Sequence, residues 1–220
     1  MNYFAHALRF LDRPYFLAGV SAPDWLTAAD RSLRLQAGHV AEFLADAEDA
    51  ATEVAAGILQ HFQDDLLFHS TPAFAETSWQ LTAQVRDALH GETGLRPAFV
   101  GHLLVELLLD AVLIAAEPER LHTYYRTLET LDAAQVEHII NRMTPQRTNK
   151  LAPFIELFRR QRVLWDYLVD EKLLLRVEQV MRRVGFDPIN DSLAGVLPAA
   201  RSLILRRKDA LFPLGMLVNS

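Results

Sequence analysis

The stretch GILQHFQDDLLFHST, residues 57–71, places His61, Asp65 and His69 at i, i+4 and i+8. Residues four apart in an α-helix lie on one face, one turn along. His61 and Asp65 can therefore share one metal ion. Eight residues put the His69 backbone about 12 Å from that of His61, too far for a single ion with ligand bonds near about 2 Å. Two ions about 3.5–4 Å apart, with Asp65 between them, fit this spacing better. Asp64 lies about 100° around the helix and is expected outside the ligand set.

The pattern recurs in FVGHLLVELLLDAVLI, residues 99–114, where His102, Glu106 and Asp110 again stand at i, i+4 and i+8. Here Leu, Val and Ile surround the polar residues on all sides, and a helix hydrophobic all round is buried. Buried carboxylates are costly unless paired, hydrogen-bonded or bound to metal. The alternative is an interface helix whose acids pair with arginine. The run LLVELLLDAVLIAA, residues 103–116, contains two acids and is short for a bilayer crossing; it reads as a buried helix.

Working outward, helical periodicity dominates and strand alternation is scarce. Helices are predicted over 3–10, 24–30, 33–47, 50–69, 73–90, 96–116, 118–129, 132–142, 147–169, 171–184 and 191–208. Pro14, Pro23, Pro72, Pro97, Pro118 and Pro145 fall at the joints, where a missing N–H does least harm. HGETG (90–94) and GFDPIND (185–191) read as helix stops, with Asp191 or Ser192 capping the next helix. The expected fold is all-α, a compact multi-helix bundle with a metal site between helices. Residues 1–185 are expected to form the metal-binding domain. Residues 186–220 read as a helical extension packed on it, an arm or a homodimer contact.

Composition narrows the chemistry. The 220 residues are half hydrophobic, enough for a sizeable core. There is no cysteine, which excludes thiolate zinc sites, disulfides and a cysteine nucleophile. Any metal must use His, Asp and Glu. The net charge of −6 hides an asymmetry: residues 1–140 hold 8 Lys/Arg against 20 Asp/Glu, and residues 141–220 hold 14 against 8. The acidic part suits cations and disfavours long nucleic acid; the basic part can attract phosphate or pair with the acidic faces. Arg159, Arg160 and Arg162 in FRRQR, and Arg206, Arg207 and Lys208, are the groups available for that role. The opening MNYFAHALRFLDRP lacks signal-peptide character, so a cytoplasmic location is expected and no transmembrane segment is read.

Three further residues fill in the pattern. In LAGVSAPDWL (17–26), Gly19 and Pro23 shape a tight connection and Asp24 stands at a helix N-terminus, where an ordinary N-cap is the competing role. His6 in YFAHALRF and His39 in QAGHVAEFL sit on apolar helices, where a core histidine is the plain reading.

The order His6, Asp24, His39, His61-x3-Asp65, His69, His102-x3-Glu106 resembles the zinc-dependent phospholipase C and fungal single-strand nuclease superfamily, all-helical enzymes with a trinuclear zinc cluster. The resemblance implies that Asp24, His39, His61 and Asp65 hold one ion and that His69, His102 and Glu106 hold a second. His6 with Asp65 would help hold a third. The family's N-terminal Trp has no counterpart in Met1-Asn2, and the Asp65–His69 interval is shorter than usual. A second resemblance is to the acyl-carrier-protein phosphodiesterases of the metal-dependent HD type. It rests on MNYFAH, on Gly19-x4-Asp24-Trp25, on Gly57-Ile58-x2-His61-x3-Asp65, and on the paired acids Glu106 and Asp110. Both resemblances cover roughly residues 1–115 and leave 116–220 unexplained.

The expectation that follows is a metal-dependent hydrolase acting on a phosphodiester, with hydroxide on the metal as nucleophile and Asp65 and Asp24 as the catalytic residues. Two or three divalent ions are implied, zinc first, with manganese or iron as alternatives. Asp110 and Asp64, with Gln60, are expected to orient the imidazoles. The substrate would be a phosphodiester-containing small molecule, lipid or carrier protein. The competing reading is a noncatalytic helical protein that binds metal or a partner.

Overall fold

In a computed structural model that describes residues 1–90, 95–187 and 193–212, the chain is all-α, with no strand among the described residues. It divides into two compact units, residues 1–66 with 117–162 and residues 67–116 with 163–220. These divisions differ from the expected boundary at 185/186.

The first unit contains α1 (Tyr3–Ala7), α2 (Pro14–Ala29), α3 (Ala37–Ala41), a 3-10 turn (Glu42–Ala45), and α4 (Asp49–Ser70) as far as Leu66. It is completed by α7 (Pro118–Glu129), α8 (Ala133–Arg142) and α9 (Leu151–Gln161). Helix α2 packs against α1, α7 and α9. The core is aromatic: Trp25 meets Phe158 edge-on with centroids 5.9 Å apart, and Phe4 meets Tyr124 at 6.3 Å. Edge-on pairs exploit the ring quadrupole in addition to the apolar area they bury.

Several sequence expectations need correction here. Residues 14–23 are helical, and Pro23 lies inside α2 instead of at a joint. Gly19 is accordingly no turn residue. A Cβ on Gly57 would sit 2.3 Å from the Phe16 carbonyl oxygen and 2.9 Å from Gly19 Cα, and one on Gly19 would meet the Val54 carbonyl oxygen at 2.3 Å. The two glycines let the backbones of α2 and α4 touch. Gly57→Ala is expected to cost at least about 1–3 kcal/mol, because backbone atoms must give way; a lowered Tm in scanning calorimetry, with the helical circular dichroism kept, checks this. The helix expected over 33–47 is only α3 and its 3-10 turn. The one expected over 147–169 ends at Gln161, because Arg162 takes a left-handed conformation with φ 47°.

The second unit contains the end of α4, then α5 (Pro72–Ala88), α6 (Leu95–Ala116), a second 3-10 turn (Val163–Leu168), α10 (Asp170–Val184) and α11 (Leu197–Leu211). Thr71 caps α5 by accepting from the Phe74 N–H at 3.1 Å, which offsets one orphan donor of the first turn. Gly185, with φ 84°, ends α10, as a C-terminal glycine does. The expected cap at Asp191 or Ser192 lies outside the described residues, as does most of HGETG. Helix α6 packs on α5, α10 and α11, and Leu104, Leu108, Leu109 and Ile114 are fully buried. It is longer than the apolar run suggests. Arg96–Ala116 has the length and apolarity to cross a bilayer, although most of it is buried inside the fold, as in a core helix. Asp110 on α6 is completely buried.

Candidate metal centres

Each unit brings one set of imidazoles and a carboxylate within reach of a single ion: His6, His61 and Asp65 in the first, and His69, His102 and Glu106 in the second. In the first set, α4 carries His61 and Asp65 one turn apart, and α1 delivers His6. The His6 and His61 rings stack with centroids 4.0 Å apart. Asp65 divides its oxygens between them, Oδ1 lying 3.2 Å from His6 Nε2 and Oδ2 lying 3.3 Å from His61 Nε2. Oδ1 also accepts from the Met1 amino group at 2.6 Å. Burial alone would raise the Asp65 pKa, but the facing imidazoles and the amino group hold it far below the usual carboxylate range.

The tautomer of His61 follows from its other nitrogen. Nδ1 lies 2.8 Å from the Val20 carbonyl oxygen, which can only accept, so Nδ1 carries a proton. A neutral His61 then aims the lone pair of Nε2 at a carboxylate oxygen. That arrangement is repulsive unless a proton or a cation sits between them. Without a metal the proton takes that place. Burial lowers the His61 pKa, yet Asp65, Asp24 and the Val20 bond outweigh it and the net shift is upward. A ring whose far N–H is held by a backbone carbonyl is also how a metal-ligating histidine is oriented.

Two unmet polar groups adjoin this pair. Both ring nitrogens of His6 are buried and make no well-aligned hydrogen bond, although Asp65 Oδ1 and Asp64 Oδ2 face them at 3.2 and 3.5 Å, and Oδ2 of Asp24 is buried without a hydrogen-bond partner. Buried polar atoms without partners are uncommon, and these are two of the atom types that bind divalent zinc, manganese or iron. The donor set therefore fits such an ion. Asp24 stands beside the set without joining it. Its burial raises its pKa more than His61 and His6 lower it.

Behind His6 lies a support that the sequence reading missed in part. Arg9 Nη2 donates to both oxygens of Asp64 at 2.7 Å, and Gln60 Nε2 donates to Oδ1 at 2.8 Å. Asp64 Oδ2 lies 3.5 Å from His6 Nδ1. Burial raises the Asp64 pKa, but His6 and Arg9 bring the net shift down. Gln60 thus acts on Asp64, through which it supports His6. Arg9 gave no sequence signal beyond being a cation among apolar neighbours.

The second set is differently satisfied. Nε2 of His69 and Nε2 of His102 converge on Oε1 of Glu106 at 3.0 and 3.2 Å. Phe74 stands edge-on to both rings at 4.7 and 4.9 Å. Burial pushes the Glu106 pKa up, but nearby positive charge, followed by the hydrogen bonds from the two imidazoles, brings it below the usual range. Each imidazole can place an N–H on the shared oxygen, so two ordinary hydrogen bonds account for this geometry without an ion. In the first set His6 Nε2 faces Asp65 Oδ1 at the same 3.2 Å but without hydrogen-bond alignment.

Other expected residues lie elsewhere. His39 is exposed on α3, with its neighbour Val40 turned into the core, and the place expected for it beside His61 and Asp65 is taken by His6. Arg159 donates to the Leu131 carbonyl at 2.8 Å and pairs with Glu156, while Arg162 pairs with Glu129 at 2.7 Å. They pin α9 within its unit and form no open phosphate site. Arg160 is exposed. Arg207 pairs with Glu76. His122 and His138 are exposed and belong to neither set.

Comparison with protein-family models, with curated proteins and with solved structures finds no match.

Proposed function

We propose that the chain is a metal-dependent hydrolase of phosphodiesters, working at the His6, His61 and Asp65 site. One observation carries the metal part of the reading. His61 keeps its proton on Nδ1 for the Val20 carbonyl, which leaves Nε2 facing Asp65 with the His6 ring stacked alongside and its Nε2 facing the same carboxylate. The phosphodiester part rests on the sequence resemblances. A divalent ion held there would supply Lewis acidity toward a phosphoryl oxygen and lower the pKa of water to about 7. Asp65 would fix both imidazoles, one on each oxygen. Asp24, buried beside the set with its pKa raised by that burial, would be placed to act as general acid toward a departing alkoxide.

The test is turnover of bis-(4-nitrophenyl) phosphate by the zinc-loaded chain, lost on chelation and restored by zinc or manganese. A purified chain that retains no metal and shows no turnover would end this reading. Stability against pH gives an independent check. In the metal-free chain the His61 pKa is raised, so its contribution is full below the unfolded value of about 6.5 and is lost as pH rises through the folded value. Asp24, also raised, acts with the same sign. With zinc the slope reverses, because the ion competes with the proton for Nε2 and binds more tightly as pH rises. Thermal melts from pH 6 upward, with chelator and with zinc, are expected to diverge. On the acid side both forms lose stability as Asp64, Asp65 and Glu106, all depressed, take up protons below about pH 4.

A further inference from the structure

The second unit contains a cavity of about 480 Å³ between the C-terminal end of α6, the turn Val163–Leu168 and α11. This lies in the size range of small-molecule sites. Val112 and Ala115 from α6, Leu168 from the turn and Leu205 from α11 give it apolar walls. Its charged lining groups are both cations, Arg201 and Lys208, and they stand seven residues apart on one face of α11. Arg201 is fixed in place, with Nε donating to Asp170 at 2.6 Å and Nη2 to the Tyr167 carbonyl at 2.7 Å. Lys208 has no comparable tie: the Asp209 carboxylate is 3.8 Å away and 95% exposed, and such a contact is worth little. Between the two cations, Leu205 leaves 64% of its surface in water.

We infer that this cavity binds a single-chain amphiphile with an anionic head. The alkyl chain covers Leu205 and packs on Val112 and Leu168, removing apolar surface from water. The head pairs with Lys208 at the mouth, beside the fixed guanidinium of Arg201. An ammonium is a point charge that reads sign more than shape, so a carboxylate and a phosphate monoester share the required chemistry, and neutral or cationic heads do not. No residue of either metal set lines the cavity, so the inference stands apart from the hydrolase reading.

Isothermal titration of the full chain with dodecanoate, dodecyl phosphate, dodecanol and dodecyltrimethylammonium, each kept below its micelle concentration, tests it. The two anions are expected to bind and the other two to bind at least about tenfold more weakly, the scale of one charge-assisted hydrogen bond. Lys208→Gln should weaken both anions about tenfold. Ala115→Trp should abolish binding by filling the cavity, and because Ala115 is exposed the fold should survive, as circular dichroism would show. A preference between the two anions identifies the head. Equal binding of dodecanol, intact binding in folded Ala115→Trp, or no binding of either anion overturns the inference.

Discussion

His61→Ala is expected to remove one metal ion per chain and to weaken zinc binding at least about 100-fold. Partners that only orient a ligand are commonly worth 10–100-fold, and the loss of a ligand should exceed that. The imidazole serves three neighbours at once: it donates to Val20, faces Asp65, and stacks on His6. Alanine leaves Asp65 with one imidazole and leaves His6 as the sole nitrogen donor of the set. Phosphodiester turnover should fall in parallel with metal content. His102→Ala provides the contrast. It breaks a hydrogen-bonded set that is complete without an ion, so it should leave the ion at His61 in place. Equilibrium dialysis with zinc, alongside circular dichroism to confirm folding, reads both variants. Undiminished zinc binding and turnover in folded His61→Ala would sink the proposed centre.

The helices that carry this chemistry were legible because their polar residues repeat at helical spacing within apolar surroundings. His61 with Asp65, and His102 with Glu106, each lie one turn apart on a single helix, and local periodicity places them without knowledge of the fold. His6 was legible only as a residue type, because its role depends on the contact between α1 and α4. His39 shows the converse. Its neighbours are apolar, but α3 is a five-residue helix, too short for its pattern to say which side faces inward. Proline and glycine misled in α2. Pro23 reads locally as a break, and Gly19 as a turn, yet the close approach of Gly19 to Gly57 gives a glycine a helical use that only the partner helix reveals. Arg162 ended a helix through its backbone conformation, which residue type alone does not announce.

Arg9→Ala is expected to destabilise the protein by about 3–5 kcal/mol, the cost of leaving one charge of a buried pair alone. The Asp64 side chain is 2% exposed and that of Arg9 is 9% exposed, so water cannot replace the guanidinium without opening the core. At about 2–4 °C per kcal/mol for a chain of this size, the Tm should fall by about 10 °C. The double variant Arg9→Ala/Asp64→Ala should recover part of that loss, since it removes the stranded charge together with its partner. Recovery of zinc affinity should not follow. Asp64 also faces His6 Nδ1, and without it the His6 ring loses the group that turns Nε2 toward Asp65, so affinity should stay about 10–100-fold low. Asp64→Asn with Arg9 intact separates the two roles, since it keeps an acceptor near Arg9 and the shape of the side chain while removing the charge that faces His6. Stability and zinc affinity that fell and recovered together across these variants would make the pair purely structural. Stability restored with affinity still depressed would make Asp64 a positioning residue for the metal site and Arg9 the group that permits a carboxylate to be buried there.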